Sequence, residues 1–146
     1  NERLAAIDPN HKIIYAENLK EFESKWLSAT ERWKSTSASL AGKSVVVQHK
    51  SFSYLLKFLG INVLASIEEK PGIPPSARHL AKVVSIIKQN PTLAIIRTPF
   101  DTKAPGDWVS EKTGVRLITL PYTVGGLPDT TDLYKIYDQS IELLSN

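Results

Sequence analysis

His49 is the residue in this sequence whose type and position most plainly allow chemistry. It follows Gln48 and three valines at 45–47, a run typical of a strand buried on both faces of a parallel sheet. Ser51 then stands where an N-cap would begin the next helix. Because open α/β sheets bind ligands at the carboxyl ends of their strands, His49 is a candidate metal ligand, a candidate base or a plain surface residue.

The two other histidines carry weaker signals. His11 is expected in the first turn of a helix and His79 near the start of another, as surface or packing residues. Neither has a second histidine at a metal-ligand spacing such as H-x-x-x-H, and the absence of cysteine excludes a thiolate site. Zinc usually takes four ligands, so spacing alone supplies His49 and leaves the other ligands unidentified.

Other functional classes receive less support from the sequence. No nucleophile elbow accompanies His49, although a small α/β enzyme or regulatory domain with its site at the same strand ends remains an alternative. Val124, Gly125 and Gly126 fit neither dinucleotide-binding nor P-loop spacing and predict a turn. The net charge of +3, from 18 basic and 15 acidic residues without a basic block, does not favour nucleic acid as a partner.

A long helix is predicted before the histidine strand. Asp8 and Pro9 form a helix start, and neither proline nor glycine follows until Gly42. About 33 helical residues would extend roughly 50 Å. Such a helix either packs along one core or connects two lobes, one of which this chain lacks. An apolar stripe at steps of three and four supports it: Tyr15, Leu19, Phe22, Trp26, Ala29 and Trp33.

The rest of the chain alternates strands and helices. The pattern predicts strands at 44–48, 61–67, 92–97 and 115–120, and helices at 51–59, 76–89, 105–113 and 130–144. This predicts an α/β fold in which the long helix precedes a four-stranded, mostly parallel sheet flanked by helices. We expect two regions: 1–41, the end of one helix plus the linking helix, and 42–146, an α/β lobe.

Four segments together resemble the C-terminal half of the zinc/manganese solute-binding proteins of bacterial ABC transporters. Residues 4–22 are similar to the family's D-P-x-N-x-x-x-Y-x-x-N opening of the linking helix, and residues 45–55 to its V-x-x-H-x-x-F-x-Y-L. P-S-A-R-H-L-A at 75–81 resembles a helix start of that lobe, and 111–120 resembles E-x-x-G-x-x-V-x-x-L. The resemblance covers essentially the whole chain.

The resemblance implies a periplasmic, non-enzymatic protein of two lobes joined by a rigid helix. It would bind Zn²⁺ in the cleft and deliver the ion to an ABC transporter permease. His49 would be the metal ligand from this lobe, and an N-terminal lobe would supply two further histidines. The chain is then expected to be part of a longer protein. Binding through the neutral imidazole should weaken in acid.

One position departs from the family pattern. Pro121 stands where the family usually has an aspartate ligand, in the T-V-G-G branch of the family. A three-histidine zinc site with water as fourth ligand is therefore expected, with Asp129 or Asp132 as a less favoured substitute. Mn²⁺, which prefers carboxylate oxygen, is less favoured than Zn²⁺.

Three residues at the strand ends are expected to support the ligand without binding the metal: Gln48, Tyr122 and Thr123. Within the binding class, a lobe of a haem- or siderophore-binding protein with a similar long helix is a further alternative.

Overall fold

The computed structural model describes residues 1–70 and 72–146, so position 71 in the loop predicted after the second strand lies outside the described residues. The chain forms two compact units, Asn1–Ser35 and Thr36–Asn146. No helix within the described ranges is both long and apolar enough to span a membrane.

The first unit is helical but not one unbroken helix. It contains α1 (Glu2–Ile7), a 3-10 turn (Pro9–His11) and α2 (Lys12–Thr36), whose last residue belongs to the second unit. Asp8 and Pro9 are the N-cap and first residue of the 3-10 turn, so the predicted start holds for that turn, whereas the α-helix itself begins at Lys12. The Asp8 carboxylate does not cap a backbone N–H; its Oδ2 lies 2.9 Å from Tyr15 Oη and 2.7 Å from His11 Nδ1. At 25 residues, α2 extends about 37 Å.

The predicted stripe along α2 exists, and its aromatic members contact one another. The rings of Phe22 and Trp26 are stacked with centroids 5.7 Å apart, and Trp26 meets Trp33 edge-on at 5.3 Å. Burial increases along the helix, from Phe22 at 44% exposed to Ala29 and Trp33 at 2% each. The helix ends at Thr36 because Ser37, at φ −96° and ψ 5°, leaves the α-helical region and starts a 3-10 turn.

The second unit is an α/β sheet with helices, as predicted. Its strands are β1 (Ser44–Val47), β2 (Asn62–Ser66), β3 (Ala94–Arg97) and β4 (Leu117–Thr119), in the order β2-β1-β3-β4, and every pairing is parallel. The helices are α3 (Ser53–Phe58), α4 (Ala77–Gln89), α5 (Lys103–Thr113) and α6 (Leu133–Ser145), with 3-10 turns at Ala38–Leu40 and Lys50–Phe52.

Both faces of this sheet are covered. Val46 and Ile95 pack with Val83 and Ile87 of α4 and Val109 of α5 in one buried cluster. Successive side chains of a strand point to opposite faces of the sheet. The residues next to Val46 and Ile95 in β1 and β3 therefore point to the opposite face. Those neighbours are also buried: Val45, Val47 and Ile96. Two-sided burial is the reason that β1 and β3 consist of continuous apolar runs.

Local signals define several helix ends. Ser76 accepts a hydrogen bond from the His79 N–H (3.2 Å) and so begins α4. Gly114, in the left-handed region at φ +72°, ends α5 at the predicted position. The prediction that Ser51 is a helix N-cap is wrong, because Ser51 lies inside the 3-10 turn that precedes α3. Such turns are common at helix N-termini.

Candidate metal site

The topology places the loop after β1 where an open α/β sheet binds ligands. The chain proceeds from β1 to β2 on one side, then crosses over to β3 on the other side of β1. The direction in which successive strands are added to the sheet therefore reverses between β1 and β3. In open α/β sheets, a crevice forms outside the carboxyl ends of the strands at such a point. His49 follows β1 at this edge, in an extended backbone conformation with φ −130° and ψ 156°.

Glu68 is the carboxylate beside His49. Its Oε2 lies 3.3 Å from His49 Nδ1, and the side chains are 18% and 36% exposed respectively. The approach results from backbone pairing that continues past both strands. Ile67 donates its N–H to Val47 O (2.9 Å), and Glu68 donates its N–H to Gln48 O (3.0 Å). The sequence places Glu68 after a strand, but it does not give the register that brings it to His49.

His79 lies at the same end of β2 but makes different contacts. Its Nε2 lies 2.9 Å from the carbonyl oxygen of Ser66, and its Nδ1 lies 3.4 Å from Glu69 Oε1. Ser66 in turn donates its hydroxyl to Gln48 O (3.2 Å). His79 thus connects α4 to the end of β2, which agrees with its expected packing role.

Gln48, which was expected to support the ligand without binding the metal, points towards α5. Its side chain is fully buried, and Nε2 donates to the carbonyl oxygen of Thr102, which precedes α5 (2.6 Å). On the same side, Oε1 faces Gly106 of α5. Gln48 therefore connects the end of β1 to α5.

Tyr122 and Thr123 follow β4. The Tyr122 ring packs edge-on against Phe52, with centroids 5.7 Å apart, so it contacts the turn that begins just after His49. Thr123 forms a turn in which its carbonyl oxygen accepts the Gly126 N–H (3.0 Å). The structure thus brings Tyr122 to the histidine loop and places Thr123 in the glycine turn predicted from the sequence.

Three aspartates of the second unit already have hydrogen-bond partners. Asp101 Oδ2 accepts the Thr98 N–H (2.7 Å), and Asp107 Oδ1 accepts from Arg97 Nη1 (3.0 Å). Asp132 Oδ1 caps α6 by accepting the Lys135 N–H (2.9 Å). Within residues 1–70 and 72–146, no three His, Cys, Asp or Glu side chains are grouped as metal ligands. His49 and Glu68 are thus at most part of a metal site.

The whole chain, residues 1–146, matches the family model described as zinc-uptake complex component A, periplasmic. The chain belongs to the ZnuA family. A high-affinity zinc uptake system protein ZnuA of Bacillus subtilis is 26% identical over 109 residues, which is 75% of this chain and 34% of that protein. A ZnuA protein of Haemophilus ducreyi is 26% identical over 116 residues, covering 80% and 37%.

Solved structures agree with this assignment. The Zn(II)-bound AdcAII E280Q variant of Streptococcus pneumoniae is 26% identical, with a TM-score of 0.77 over 99% of this chain and 53% of that one. Proteins of this family are solute-binding components rather than enzymes, so the enzyme alternative is not favoured. The chain spans about half the length of that structure and about a third of the curated relatives.

Proposed function

We propose that this chain is the C-terminal lobe of a periplasmic protein that binds Zn²⁺ as cargo and delivers it to an ABC transporter permease. In this proposal His49 ligates the ion from one wall of the cleft. An N-terminal lobe supplies two further histidines, and water completes the four ligands. Residues 42–146 form the metal-binding lobe, and the region 1–41, which includes α2, links the lobes.

One observation carries the proposal: the partly exposed imidazole of His49 lies at the reversal of strand order, and the described residues do not complete its ligand set. Half a site is expected when ligands come from two lobes. The share of the relatives that the chain spans, 34% and 53%, supports the same interpretation.

Zinc is the cargo that the donor chemistry favours. Imidazole suits zinc, whereas manganese prefers carboxylate and carbonyl oxygen. Pro121 offers no donor atom after β4, and the Asp101 and Asp132 carboxylates already accept backbone N–H groups. The zinc-bound state of the Streptococcus pneumoniae relative supports the same choice.

The three supporting residues have distinct proposed roles. Gln48 holds the end of β1, and Tyr122 limits the movement of the histidine loop through its contact with Phe52. Thr123 shapes the neighbouring turn by accepting the Gly126 N–H at its carbonyl oxygen. None of the three contributes a donor atom to the metal in this proposal.

The test is zinc titration calorimetry of the intact protein, comparing the wild type with His49→Ala and His79→Ala. We expect tight one-to-one binding that weakens by orders of magnitude in His49→Ala. His79→Ala is the matched control, because it removes the other imidazole of the same sheet edge. Unchanged binding in His49→Ala, or absence of zinc binding in the wild type, would overturn the proposal.

A further inference from the structure

We propose that Glu68 is a positioning residue for His49: its carboxylate accepts a hydrogen bond from Nδ1–H and thereby leaves Nε2 unprotonated and directed at the metal. This inference rests on the proposed function, since it assigns a role to Glu68 only if His49 is a zinc ligand. It concerns the orientation and tautomer of the ring rather than a further metal ligand.

The backbone keeps Glu68 close to the ring. Since the Glu68 N–H donates to Gln48 O (3.0 Å), the residue that bears the carboxylate is bonded to the residue preceding His49. Two side-chain contacts fix the end of β2 from which Glu68 extends. Ser66 Oγ donates to the same Gln48 oxygen, and His79 Nε2 contacts the Ser66 carbonyl oxygen. Of these contacts, only the bond from the Glu68 N–H to Gln48 O holds Glu68 directly beside His49.

The chemistry of the pair selects one tautomer. An ionised carboxylate can only accept, and a neutral imidazole carries one N–H, so a hydrogen bond between them places the proton on Nδ1. The observed separation of 3.3 Å between Nδ1 and Oε2 is a few tenths of an ångström longer than a usual N–H···O bond. Nε2 then keeps its lone pair for the metal.

A different arrangement would also satisfy the distance. Nδ1 and Oε2 could both bind one zinc ion, because two ligand atoms at zinc–ligand distances of about 2 Å in a tetrahedral site lie about 3.3 Å apart. In that case Glu68 would be a ligand and Nδ1 would carry the metal. The experiment must therefore identify which ring nitrogen binds zinc.

Glu69 provides a matched control. It is the next residue and has the same charge, but its carboxylate is 61% exposed and lies beside His79 rather than His49. Substitution of either glutamate by glutamine changes the net charge equally. A general electrostatic effect on zinc would appear in both variants, whereas a positioning effect would appear only at Glu68.

We would titrate zinc into the intact wild type and its Glu68→Ala, Glu68→Gln, Glu69→Gln and His49→Ala variants. Loss of an outer partner of a metal ligand typically costs 10- to 100-fold in affinity, and we expect this for Glu68→Ala. Glu68→Gln should lose less, because its amide oxygen can still accept a hydrogen bond from Nδ1–H. Glu69→Gln should bind as the wild type, and thermal unfolding would confirm that each variant folds.

The second readout is the ¹⁵N spectrum of His49, which reports the protonation of each ring nitrogen. We expect Nδ1–H to predominate in the metal-free wild type, to decline in Glu68→Ala, and zinc to bind at Nε2. Zinc at Nδ1, or affinity and tautomer unchanged in Glu68→Ala, would overturn the inference. If His49→Ala also binds like the wild type, the proposed function has failed; if only Glu68→Ala does, the failure is confined to this inference.

Discussion

Gln48 and Gly106 are packed so closely that the glycine has no room for a side chain. A Cβ at Gly106 would lie 2.7 Å from Gln48 Oε1 and 3.3 Å from Leu117 Cδ1. Gln48 Oε1 is buried and has no hydrogen-bond partner within residues 1–70 and 72–146, while Nε2 of the same amide donates to Thr102 O. The absence of a side chain at Gly106 thus allows α5 to pack closely against Gln48, the residue that connects β1 to His49.

Gly106→Ala is expected to destabilise the protein although alanine favours helices. The methyl group would force Gln48 and Leu117 to move, and overpacking of this kind costs typically 1–3 kcal/mol. The gain in helix propensity offsets about 1 kcal/mol of that cost. Urea unfolding should show a net loss of up to about 2 kcal/mol.

Gln48→Ala supplies the control for this interpretation. In a double-mutant cycle, the cost of Gly106→Ala should decrease in the Gln48→Ala background, because the nearest atom has been removed. Leu117 still limits the space, so part of the cost should persist. An equal cost in both backgrounds would show that Gln48 does not restrict position 106.

Much of the fold was predictable because the valines at 45–47, and Ala94, Ile95 and Ile96, are apolar runs buried on both sides. The long helix was predicted too long at both ends. Asp8 had the sequence of an N-cap, but its carboxylate contacts the Tyr15 and His11 side chains instead. A competition between side-chain and backbone partners of this kind is decided by geometry that the sequence does not show.

The site was predictable to a smaller extent. His49 could be placed because it directly follows a strand whose position was evident. Gln48 was expected to support the ligand without binding the metal, and the sequence did not show that strand alternation places its side chain on the face of Val46, towards α5. Glu68 could not be assigned to His49, since a register shift between Val45 and Val46 alters which residues of β2 face β1.

Asp8 is expected to control the ionisation of Tyr15. The hydrogen bond from the Tyr15 hydroxyl to Asp8 raises the pKa of the phenol above its usual value, and desolvation raises it further. The contribution of this bond to stability is therefore fully present below the pKa of tyrosine in the unfolded chain, about 10. It is lost as pH rises through the higher pKa of Tyr15 in the folded protein. Asp8→Asn should lower the Tyr15 pKa towards the usual value.

Ultraviolet titration of tyrosinate can measure this change. Subtracting the Tyr15→Phe curve from the parent curve, with either Asp8 or Asn at position 8, isolates Tyr15 from the other four tyrosines. If the isolated titration is the same with Asp and with Asn, the carboxylate does not set the phenol pKa.

Asp132 is expected to stabilise α6 without binding zinc. Its Oδ1 accepts the Lys135 N–H, so Asp132→Ala should lower the free energy of unfolding by about 0.5–2 kcal/mol. Asn caps helices about as well as Asp, so Asp132→Asn should retain nearly all of the stability. In the intact protein, Asp132→Asn should also retain the zinc affinity, because the proposed ligands do not include this carboxylate.

Asp132→Ala and Asp132→Asn together distinguish a helix-capping role of Asp132 from a zinc-binding role. Alanine removes both the cap and the charge, whereas asparagine removes only the charge. Calorimetry with zinc and urea unfolding on the same samples would show which loss matters. A tenfold or greater loss of zinc affinity in Asp132→Asn at unchanged stability would make Asp132 the carboxylate that substitutes at the metal for the one absent at Pro121.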